Sequence, residues 1–106
     1  MIVRGQKVEG YWWSKYDTKY PKPIAGVLND TEAKEIYDLI IDKQKESRLA
    51  RYKGWSTSRI TGEKLGSTEY FTDKWRWPAD FAEHYVLTHK VKPTDEFLDY
   101  IGYTTL

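Results

Sequence analysis

Apolar residues recur along this chain with two periods, and the change from one to the other marks its elements. From Ala33 the spacing is helical: Ala33, Ile36, Tyr37, Ile40 and Ile41 fall at i, i+3, i+4, i+7 and i+8, the stripe a helix lays on a core. Asn29 or Asp30 caps this helix, and Asn29 with Glu32 has the spacing of a capping box, Asn standing in for Ser or Thr. Acids crowd the first turn and Lys43, Lys45 and Arg48 the last, as the macrodipole favours, and the end is expected near Ser47 to Ala50. Ahead of it, residues 8–16 (VEGYWWSKY) read as a short aromatic strand. Pro21 and Pro23 lack amide donors and cannot continue a strand, so Thr18 to Gly26 reads as a surface loop.

Beyond the helix the period shortens. Residues from Arg51 to Asp73 are rich in Tyr, Trp, Thr, Ser and Ile, and Gly62-Glu63-Lys64-Leu65-Gly66 divides them, which predicts a β-hairpin with a longer turn. Trp75 and Trp77 then point to one face of a strand and Arg76 to the other. Pro78 is expected to open a second helix, with Phe81, His84, Tyr85 and Thr88 on one face. Val91-Lys92-Pro93 interrupts the chain, and a third helix follows from Thr94 to Ile101, with Phe97, Leu98 and Ile101 as its stripe and Gly102 as its terminator. The expected architecture is a single α+β domain over residues 1–106. It has a small antiparallel sheet built from Trp55–Trp77 and Tyr11–Trp13, one longer N-terminal helix and two short C-terminal helices.

Composition sharpens this picture. A chain of 106 residues holds one core and folds without staples. The absence of cysteine excludes disulfides and thiolate metal sites and suits a reducing compartment. No apolar run reaches the length of a signal peptide or the ~20 residues of a membrane span, so a cytoplasmic protein without a membrane partner is expected. Bases and acids nearly balance, 17 against 16, which removes any global pull toward polyanions. Locally they separate. Lys43 to Lys64 holds seven bases against two acids, Asp30 to Asp42 five acids against one base, and the last fourteen residues three acids and no base. Five Trp and nine Tyr are more than so small a domain can bury completely. Some of them must therefore reach the surface, where Trp and Tyr dominate interaction hot spots.

Catalytic patterns are weaker. His84 and His89 with Glu69, Asp73, Asp80 or Glu83 offer nitrogen and oxygen ligands, but a five-residue spacing does not pair side chains on an α-helical face, and H-E-x-x-H is absent. Glu69, Asp73, Asp80, Glu83 and His84 are candidate acids or bases of a kind found in almost any domain. The serines at 14, 47, 56, 58 and 67 form no G-x-S-x-G elbow, and Gly62–Gly66 misses the phosphate-loop spacings. No enzyme activity, metal or cofactor is expected.

Gly66-Ser67-Thr68-Glu69-Tyr70, Trp75-Arg76-Trp77-Pro78, His84-Tyr85-Val86, His89-Lys90-Val91, Pro93 and Phe97 together form a W-x-W-P … HYV … H-x-V-x-P … F pattern. In it the chain, from about Trp55 onward, resembles a family of short uncharacterised bacterial and bacteriophage proteins. The resemblance implies kinship in fold and a phage or prophage setting, and brings no catalytic residue or cofactor. The leading expectation is a non-catalytic protein-interaction module, such as a phage accessory protein acting on a host protein or defence complex. Trp12, Trp13, Tyr16 and Tyr20 are its candidate contact residues. The alternative is nucleic-acid binding through Arg48, Arg51, Lys53, Trp55 and Arg59, where bases alternate with aromatics as in proteins that track phosphates and stack bases. Were the segment from Tyr52 a strand, Lys53, Trp55 and Arg59 would share a face. Either partner leaves the oligomeric state open.

Overall fold

The computed structural model describes residues 2–3, 5–51 and 55–104. Its elements in chain order are β1 (Ile2–Val3), β2 (Gln6–Val8), α1 (Asp30–Lys45), β3 (Arg48–Arg51), β4 (Thr68–Phe71), β5 (Trp75–Pro78), a π-helix (Phe81–Thr88) and α2 (Asp95–Ile101). The strands form one sheet in the order β1-β2-β5-β4-β3, with β5 in the middle. The α+β class, the longer early helix and the shorter late ones stand as the sequence implied.

Register sorts the side chains onto two faces, because directly paired residues share a face. Tyr70 lies opposite Trp77, and Leu49 opposite Tyr70. Lys7 pairs with Trp75, so these residues mark the inner face. Against this face the helices pack. Trp77 is fully buried, its indole N–H donates to Gln44 Oε1 of α1 at 3.2 Å, and Phe97 of α2 meets it edge-on at 5.6 Å. Trp75 likewise meets Phe97 edge-on at 5.2 Å and stacks on Tyr100 at 5.8 Å. One apolar core joins them to Ile36, Ile40, Phe81, Tyr85 and Val86. The outer face carries Val8, Arg76, Phe71, Glu69 and Ala50.

Four local outcomes differ from the sequence reading. The pair β2–β5 is parallel, so the sheet is mixed, and Glu9 N extends that ladder to Arg76 O at 3.0 Å. Tyr11–Trp13 is not a strand, since Gly10 takes φ +79° and turns the chain off the sheet. The hairpin does form, but from β3 and β4; between them only the bridge Thr57–Lys64 pairs among the described residues. Pro78 ends β5 instead of opening a helix, and the next helix starts at Phe81 with π geometry.

Candidate functional site

The chain from Gly10 to Val27 wraps one end of the domain and carries the surface aromatics. Gly10 sits so close to the π-helix that a Cβ there would lie 2.7 Å from the Phe81 ring. Trp12 follows and lays its ring 6.3 Å from Phe81 and 5.3 Å from Tyr85, which fastens the loop to the core. Trp13 N–H donates to Pro21 O at 2.8 Å and closes the loop. At its tip Ser14 Oγ accepts from the backbone N–H groups of Tyr16 and Asp17, a turn that throws Tyr16 outward to 84% exposure. The return leg is pinned by Gly26 N–H to His89 O and Val27 N–H to Lys90 O.

Between the loop and the domain lies a groove of about 300 Å³. Trp12, Tyr20, Pro21, Ile24, Val27 and Val91 form its apolar walls, with Lys22 and Lys92 beside them. Tyr11 and Tyr20 stack at 5.8 Å and also line two neighbouring clefts. One, of about 140 Å³, reaches Ser56, Arg59 and Asp80; the other, of about 500 Å³, reaches Gln6 and Arg76 on the outer sheet face. Lysines of the loop cover its rings: Lys15 lies over Tyr16 at 5.1 Å, Lys19 over Tyr20 at 5.2 Å and Lys22 over Trp13 at 4.7 Å. The surface is therefore apolar and cationic together.

The four aromatics expected to contact a partner thus share one loop and divide in two. Trp13 and Tyr16 are exposed; Trp12 and Tyr20 are half-buried and form groove wall. Ile24 and Val27, exposed and beside them, were missed. They follow Pro23 in a stretch too short to show a period, so only their apolar character within a loop could have marked them.

The basic stretch is dispersed. Arg48 and Arg51 are exposed on the edge strand β3, and Arg48 lies over Phe71 at 5.9 Å. Trp55 is 61% exposed, with Lys64 5.8 Å from its ring. Arg59 turns back onto the aromatic loop, its Nε donating to Trp13 O at 3.0 Å and its Nη1 to Thr57 O. No strand runs through 55–59, so the shared face expected for Trp55 and Arg59 does not form; Lys53 lies outside the described residues.

Three polar clusters complete the picture. His84 Nε2 lies 2.7 Å from Ser58 Oγ, and its Nδ1 lies 3.7 Å from Glu63 Oε1. Ser58 Oγ also accepts from Ile60 and Thr61 N–H. That serine is buried, and the trio fastens the 57–64 turn to the π-helix. Burial, helped by His89, lowers the His84 pKa, with Glu63 and Asp80 opposing. The π-helix also overturns the spacing argument for the histidines: with i+5 bonding, His89 N–H reaches His84 O and the rings come to 4.7 Å. Among the described residues, no three His, Asp or Glu side chains gather as a metal site. On the outer face, buried Glu69 accepts from Arg76 at 2.6 Å and from Tyr11 OH. Buried Glu9 holds Thr94, the cap of α2, accepting from Thr94 N–H at 2.7 Å and Oγ1–H at 2.9 Å; burial raises the Glu9 pKa and that of Asp80.

No protein-family model, curated protein or solved structure matches the chain. Among the described residues no helix is long and apolar enough to cross a membrane.

Proposed function

We propose that this protein is a non-catalytic interaction module that binds a protein partner through the Gly10–Val27 loop and its groove. The observation that carries the reading is an apolar groove of about 300 Å³ walled by Trp12, Tyr20, Ile24 and Val27, with Trp13 and Tyr16 exposed beside it. Rigid aromatics fixed to a core and bordered by exposed apolar side chains are the form that hot spots take. The resemblance to short bacterial and bacteriophage proteins directs the search to bacterial proteins. A second reading, nucleic-acid binding, is supported by exposed Trp55 beneath Lys64, with Arg48 and Arg51 on the nearby edge strand.

A tagged pull-down from bacterial lysate, with and without nuclease, separates the two. One stoichiometric protein retained after nuclease, and lost with Trp13→Ala/Tyr16→Ala, is the expected result. Proteins lost on nuclease treatment, with capture weakened by Trp55→Ala, would replace it with the second reading.

A further inference from the structure

We infer that the segment received by this groove is acidic: a short stretch of a protein partner that seats one large apolar side chain between Trp12, Tyr20, Ile24 and Val27 and sets Asp or Glu against the loop lysines. The inference rests on the interaction reading and names the chemistry of its partner. Size supplies the first half. About 300 Å³ lies at the bottom of the range for small-molecule sites, enough for a single side chain and little more. Its walls are apolar, so the inserted group is apolar too.

Charge supplies the second half. Residues 10–27 contain Lys15, Lys19 and Lys22 against the single acid Asp17; Lys22 and Lys92 line the groove, and the acid that also lines it, Glu9, is buried and already accepts from Thr94 N–H and Oγ1–H. The loop lysines lie against the rings of Tyr16, Tyr20 and Trp13, so their ammonium groups stand beside the apolar contact surface. Lys92 reaches Asp95 at 3.6 Å, but both side chains are solvated and the pair is weak competition. A basic or neutral segment would bury these cations without partners, whereas an acidic one meets them and is steered in from a distance.

The test pans a displayed library of random peptides on the full-length chain. Enriched peptides are expected to carry one large apolar residue flanked by Asp or Glu. Their binding should weaken about tenfold in Lys15→Glu/Lys19→Glu/Lys22→Glu and fall with rising salt. These lysines are on the surface, and a thermal melt of the triple variant confirms that it folds. A second variant, Val27→Glu, should abolish binding by placing a charge in the groove wall. Enriched peptides without acids, or unchanged binding by the triple variant, would overturn the acidic partner while leaving the interaction reading intact. Enrichment of no peptide would sink both. Concentration-dependent self-association blocked by Val27→Glu would make a second copy the occupant and overturn the proposal.

Discussion

Gly10→Ala tests how the aromatic loop is attached to the core. Two costs combine at this position. A residue with a Cβ at φ +79° gives up about 1–2 kcal/mol, partly offset by about 0.4–1 kcal/mol from a stiffer unfolded chain. The added methyl must also displace a ring 2.7 Å away. Phe81 cannot yield freely: it is fully buried, with Phe97 edge-on at 5.7 Å and Trp12 at 6.3 Å. Overpacking of this kind costs about 1–3 kcal/mol. The sum is about 2–4 kcal/mol. Gly62→Ala is the matched control, at φ +80° with nothing within 4 Å of its Cβ, and should cost about 1 kcal/mol. Urea unfolding of both variants at equal m isolates the steric part as their difference. Adding Phe81→Leu should return part of the Gly10→Ala loss, because the two sites are in contact. If Gly10→Ala is no less stable than Gly62→Ala, the loop is not packed on Phe81 as described.

Three other outcomes follow from the polar contacts and the loop. Stability should fall as pH drops below about 6.5, since unfolded His84 then takes a proton that the folded state, with its lowered pKa, resists. In urea titrations over pH, His84→Gln should flatten that loss, while Glu9 and Asp80, whose raised pKa values make the folded state the better proton holder, act in the opposite sense nearer their ordinary range. Arg76→Met should cost about 2 kcal/mol by leaving Glu69 buried with only Tyr11 as its described side-chain donor, and Glu69→Gln in the same chain should recover part of it, measured by thermal melts. Tyr16→Ala should change stability by less than about 1 kcal/mol, its side chain being 84% exposed, while Trp13→Ala, with Trp13 38% exposed, should cost more; the pair together should abolish partner capture.

Where sequence reading succeeded, local chemistry was sufficient. Helix α1 shows its period and its cap together: Asn29 Oδ1 accepts from Glu32 N–H at 2.8 Å while Glu32 Oε1 accepts from Asn29 N–H at 3.0 Å. The alternation of Trp75, Arg76 and Trp77 also survives in the burial of β5. It failed where distant residues decide. Nothing in Gln6–Val8 announces a parallel partner at Trp75, because that partner lies far along the chain and local pattern does not encode strand pairing. Tyr11–Trp13 has strand composition, but the glycine ahead of it redirects the chain. An α-helical period separates His84 from His89, whereas the π-helix makes this i, i+5 pair adjacent.

The site was legible in its chemistry and not in its shape. Surplus Trp and Tyr pointed to a surface cluster in the N-terminal third, yet the groove is completed by Val91 and Lys92, far along the chain, which line it together with Ile24 and Val27. The same residues also do two jobs. One side of Trp12 holds the loop against Phe81 and Tyr85, and another lines the groove. Tyr20 similarly stacks on Tyr11 while walling the groove. Truncating either would lower stability and binding together and could not separate them. Trp13, Tyr16 and Ile24 stand outside the core, so a binding loss there with an unchanged melting temperature reports contact with the partner alone.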